Sequence, residues 1–77
     1  MIKYREEYDI LSKELGIQIR ILHRIVNGEA DLSSKKFNRY CKKIKKKYNQ
    51  EVNTEEELKD FIKNFIQNLK RGYIQNE

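Results

Sequence analysis

Leu11-Ser12-Lys13-Glu14-Leu15-Gly16-Ile17-Gln18-Ile19-Arg20-Ile21-Leu22-His23-Arg24-Ile25-Val26-Asn27-Gly28 is the stretch whose reading decides the fold. Two helices that cross steeply through a tight turn need a small residue where they touch, a Gly in the turn and apolar anchors on both sides. Ser12 supplies the small residue, Leu15 an anchor, Gly16 the turn and Ile17 the first apolar residue beyond it. Leu22, Ile25 and Val26 then form the inward face of a second helix over about 18–26, which Asn27-Gly28 ends because both residues tolerate left-handed backbone.

The pattern continues outward on both sides. Tyr4, Tyr8, Leu11 and Leu15 recur at helical spacing, so a first helix precedes Gly16 and stops there. After Gly28, Ser33 or Ser34 is placed to cap a third helix, whose apolar stripe is Phe37, Tyr40, Cys41, Ile44 and Tyr48. A fourth helix is the best signposted. Thr54 and Glu57 make a capping box, and Glu55, Glu56 and Glu57 complement the positive end of its dipole. Leu58, Phe61, Ile62, Phe65, Ile66 and Leu69 follow on one face, Lys70 and Arg71 suit the far end, and Gly72 stops the helix. No segment reads as a strand. The expectation is an all-α chain, with a helix-turn-helix three-helix headpiece over 1–50 and a C-terminal amphipathic helix in 51–77, together one folding unit.

Composition narrows the function. With 77 residues there is room for one small domain, and no apolar run reaches the roughly 18 residues of a membrane span. The charged first residues do not read as a secretory signal. Cys41 alone makes no internal disulfide, and neither it nor His23 belongs to a metal-ligand set, so no metal or cofactor is expected and a reducing cytoplasm is. Nothing pairs a nucleophile with a base or cradles a phosphate in a Gly loop, which argues against an enzyme. Lys and Arg number 17 against 12 acids, giving a net charge of +5 and pointing to an anionic partner. That charge is uneven, with +7 over residues 1–50 and −2 over 51–77. The Lys42-Lys43-Ile44-Lys45-Lys46-Lys47 run spreads over more than one helix face, so only some of its lysines can serve one duplex.

Leu22-His23-Arg24-Ile25-Val26-Asn27-Gly28-Glu29-Ala30-Asp31-Leu32-Ser33 resembles the head domain of the lac-repressor family, whose recognition helix ends in Arg-Val-Leu-Asn-Gly with Val-Ser three residues on. Leu32-Ser33 stands in that place, and Tyr48 falls where the family closes its third helix with Tyr. Cro- and phage-repressor-type domains, which share the Gly turn and the Asn-Gly ending, are the second resemblance. The likeness covers roughly residues 6–49. Gln18 replaces the family's usual Ser, and Arg20-Ile21 its common Ala-Thr pair.

The resemblance implies a recognition helix in the major groove of double-stranded DNA, with Gln18, Ile19, Arg20, His23 and Arg24 at base edges. It implies phosphate contacts from Asn27, Ser33, Lys35 and Lys36. Such proteins bind paired half-sites as dimers, so Leu58, Phe61, Ile62, Phe65, Ile66 and Leu69 are candidate homodimer contacts. The same stripe alternatively folds back over Phe37, Tyr40 and Ile44 to complete a small core. The leading expectation is therefore a cytoplasmic, nucleoid-associated transcriptional regulator, a repressor on an inverted-repeat operator, with room for a regulatory protein partner. The alternatives are a small protein-interaction or inhibitor module of a phage or other mobile element and a DNA-bending recombination accessory.

Overall fold

A computed structural model describes residues 5–75, with side chains through 69; Tyr4 lies outside them. Four helices follow one another, α1 (Arg5–Leu15), α2 (Ile19–Val26), α3 (Ser34–Tyr48) and α4 (Glu55–Gln75), with no strand among the described residues. No helix is long and apolar enough to cross a membrane among those residues.

Local chemistry sets each boundary. α1 stops because Gly16 takes φ +68°, a left-handed conformation that costs an L side chain about 1–2 kcal/mol. The N–H groups of Gly16 and Ile17 both donate to the Ser12 carbonyl, at 2.8 and 3.2 Å. Ser12 contributes more than small size, because its Oγ donates to the Ile17 carbonyl. Both backbone polar groups of the buried Ile17 are thus held by one residue of the preceding helix. From across the fold, Lys43 Nζ donates to the Leu15 carbonyl at 3.2 Å and covers the same helix end.

α2 ends in a Schellman arrangement: Glu29 N–H reaches the Arg24 carbonyl at 2.8 Å and Gly28 N–H the Ile25 carbonyl at 3.1 Å. Only Gly28, at φ +75°, is left-handed there; Asn27 stays right-handed at φ −83°. Ser33 caps α3 by accepting from Lys36 N–H at 3.2 Å, and Asn49 at φ 55° closes it. At α4, Thr54 Oγ1 accepts from Glu57 N–H at 3.0 Å. The Glu57 carboxylate reaches one residue further back than a capping box requires, taking the Asn53 N–H at 2.7 Å.

Gly72 does not stop α4, which continues to Gln75. A Gly inside a helix costs about 1 kcal/mol relative to Ala but forces no left-handed turn, so the hydrogen-bond ladder passes through it. Lys70 and Arg71 therefore precede the last turn rather than closing it; their side chains lie outside those described.

One core joins all four helices. Tyr8, Leu11 and Leu15 of α1 meet Leu22 and Ile25 of α2, Tyr40 and Ile44 of α3, and Leu58, Phe61, Ile62 and Ile66 of α4, with Ile17 and Val52 between them. The main partners of α4 are α2 and α1. It meets α3 through an aromatic cluster, in which the Tyr48 ring lies 5.6 Å from Phe61 and 5.5 Å from Phe65. Leu58 and Ile62 are wholly buried and Phe61 and Ile66 nearly so, so these four side chains complete the core of their own chain. Phe65 and Leu69 are left half-buried.

Candidate nucleic-acid interface

α2 is short, and its packing determines what it offers to solvent. Leu22 and Ile25 are buried, while Ile19, Ile21 and Val26 pack partly against the core. The exposed residues are Arg20, Arg24 and, just past the helix, Asn27, which fall on one line at steps of four and three. The two guanidiniums form no ion pair among the described residues. At the start of α2, Gln18 occupies the cap position with an exposed side chain that makes no capping bond, and no acid stands in the first turn. Those first N–H groups therefore lack a side-chain acceptor among the described residues.

His23 is held differently from Arg20 and Arg24. Its ring stacks on Tyr8 with centroids 4.0 Å apart and planes inclined by 29°, and its Nε2 is buried without a hydrogen-bond partner among the described residues. The ring belongs to the α1–α2 contact, on the flank of α2 beside Arg20 and Asn27. Helical spacing alone leaves His23 at the margin of the exposed face; the long Tyr8 ring arriving from α1 covers it. Burial raises the Tyr8 hydroxyl above its ordinary value, so that side chain remains a neutral stacking surface. Ile19 is half-buried and shares its surface between core and solvent.

The expected phosphate contacts are all exposed: Asn27, Ser33, Lys35 and Lys36. Ser33 Oγ accepts the Lys36 N–H but keeps its own hydroxyl proton to donate. The first turn of α3 itself carries no acid.

The lysine run divides by task. Lys43 covers the end of α1, Lys45 pairs with Glu51 at 3.6 Å, and Lys47 pairs with Glu14 at 3.4 Å. Glu14 also accepts from the Tyr48 hydroxyl at 3.3 Å, tying α1 to the end of α3. Burial, the Glu14 charge and that hydrogen bond together raise the Tyr48 hydroxyl. Cys41 is half-buried on the α3 stripe, its thiol raised by burial and by the charge of Glu57. Among the described residues no group of His, Cys, Asp and Glu side chains converges to hold a metal ion.

No protein-family model, characterised protein or solved structure matches this chain.

Proposed function

We propose that the protein is a sequence-specific DNA-binding regulator of transcription, acting as a repressor by occupying its operator. In this reading α1 and α2 are the helix-turn-helix pair and α2 is the recognition helix. The supporting observation is the solvent line Arg20–Arg24–Asn27 on a helix whose other faces are held by Leu22, Ile25 and the His23–Tyr8 stack. A guanidinium bonds bidentately to guanine O6 and N7 only when its helix is held still, and these contacts hold α2. Gln18 at the uncapped start of α2 is suited to adenine, or to a phosphate shared with the free N–H groups. Lys35, Lys36 and Ser33 supply backbone contacts that set orientation without reading bases.

Two copies on an inverted repeat would meet through what the core leaves half-exposed on α4, Phe65 and Leu69, with Tyr48 beside them. Leu58 and Ile62 have no surface to give to a second copy.

The test contrasts two substitutions on the best-bound duplex and on mixed-sequence DNA. Arg24→Ala should weaken the best site by about 1–3 kcal/mol, the size of one lost bidentate base contact, and random DNA much less. Lys35→Ala should weaken both alike, because a phosphate contact carries no sequence information. Equal, sequence-independent losses from both would remove Arg24 from base reading.

A further inference from the structure

α3 carries a second charged feature that its consecutive lysines conceal. Lys35, Arg39, Lys42 and Lys46 are all exposed and stand at steps of four, three and four. At about 100° per residue these four fall within roughly 60° of one another around the axis, one straight row about 16 Å long. The row lies opposite the buried face of α3, where Tyr40 and Ile44 enter the core. None of the four makes an ion pair or a side-chain hydrogen bond among the described residues, whereas Lys43 and Lys45 between them and Lys47 just beyond are engaged.

Four like charges in a row repel one another, and no acid of the described residues is paired with them to offset the cost. A linear polyanion would. We propose that the outward face of α3 is a rail for the phosphate backbone of double-stranded DNA, binding without regard to sequence. It extends the phosphate contact proposed at Lys35 by three residues, Arg39, Lys42 and Lys46. It does not depend on base reading by Arg20 or Arg24.

The chemistry of the face favours a duplex over other polyanions. Duplex DNA presents one charge per about 1.7 Å of axis, so a rigid row of about 16 Å lies beside phosphates along its whole length. Single-stranded nucleic acid is held by exposed aromatic platforms, but Phe37, Tyr40 and Tyr48 all lie on the core side of α3. An anionic lipid surface is gripped by an apolar face dipping below the headgroups, and the apolar face of α3 is already occupied by the rest of the fold.

The experiment measures binding of the full chain to a short mixed-sequence duplex across a range of salt. A row variant, Lys35→Gln with Arg39→Gln, Lys42→Gln and Lys46→Gln, is compared with a charge-matched variant, Lys13→Gln with Lys45→Gln, Lys59→Gln and Lys63→Gln. Gln keeps helix propensity, and circular dichroism checks both folds. A Lys42→Gln, Lys46→Gln double variant serves should the fourfold one fail to fold. Each phosphate contact contributes about 0.9 to the slope of log K against log salt, so the row variant should flatten it by about 3 to 4 and the double variant by about 2. The charge-matched variant should change it by less than about 1. Equal flattening by both fourfold variants would show a diffuse positive field and no rail. A row variant with the parent slope would also overturn the proposal, as would tighter row-dependent binding to phosphatidylserine vesicles, or to single-stranded DNA, than to the duplex. Loss of sequence preference alone would leave these slopes unchanged, so failure of the base-reading proposal and failure of the rail are distinguishable.

Discussion

Replacing Gly16 with Ala should cost more than the same change at Gly28, although both residues are left-handed at nearly the same φ, +68° and +75°. The shared part is backbone strain, about 1–2 kcal/mol for an L side chain in that region. The difference is what the new methyl meets. At Gly28 the added Cβ would meet none of the described residues within 4 Å, whereas at Gly16 it would sit 2.8 Å from Lys43 Nζ. That ammonium is the end of a flexible side chain and can swing away, but it then leaves the Leu15 carbonyl that it holds at 3.2 Å. Losing such a bond costs about 1 kcal/mol, so Gly16→Ala should total about 2–3 kcal/mol and Gly28→Ala about 1–2. For a domain of this size about 1 kcal/mol lowers Tm by roughly 6 °C, which puts the two variants about 6 °C apart in a thermal melt. In a Lys43→Met background the gap should close, because the bond is already gone. Equal Tm values for the two Ala variants, or a gap that persists without Lys43, would refute the role given to that lysine.

Other consequences are more direct. Ile62→Ala, at a wholly buried position, should destabilise by about 2–5 kcal/mol in urea titrations, while Leu69→Ala at the half-buried end of the stripe should cost clearly less. Thr54→Ala removes the acceptor for Glu57 N–H and should cost about 1 kcal/mol, visible as lower helix content and Tm by circular dichroism. Folding raises the Tyr8 and Tyr48 hydroxyls above 10.0 and the Cys41 thiol above 9.0. The unfolded chain therefore loses those protons first; the associated stability is intact below these values and is lost as pH rises through the folded ones. Melts in increasingly alkaline buffer should show Tm falling from about pH 9 upward, and Tyr48→Phe should make the fall shallower.

The elements are legible in the sequence because short-range chemistry makes them. Gly16, Gly28, Ser33 and Thr54 each act on backbone groups within five residues of themselves: α1 and α2 end just before the two glycines, and α3 and α4 begin just after Ser33 and Thr54. Gly72 is the exception: its helical neighbours carry the ladder across it, and a residue that merely tolerates a turn does not create one. What the sequence hides is long-range. Lys43 reaching Leu15, Tyr48 bonding Glu14 and Tyr8 covering His23 join residues 28, 34 and 15 positions apart, and no local pattern marks them. The destination of the α4 stripe is likewise hidden, since a large apolar face looks the same in sequence whether it covers its own chain or another. The row on α3 is hidden differently. It threads through a block of lysines in which every second or third residue is engaged elsewhere, so counting neighbours in sequence obscures the helical line that starts at Lys35.

The central claim is that Arg20 and Arg24 on α2 read base pairs. The most direct test selects bound sequences from a random duplex pool at near-physiological salt, where non-specific attraction is screened. The account predicts enrichment of one motif, with G·C pairs in the positions lost when Arg20 or Arg24 becomes Ala. An inverted repeat would further fix the spacing of two copies. A pool that emerges unenriched, with binding that only fades as salt rises, would contradict it.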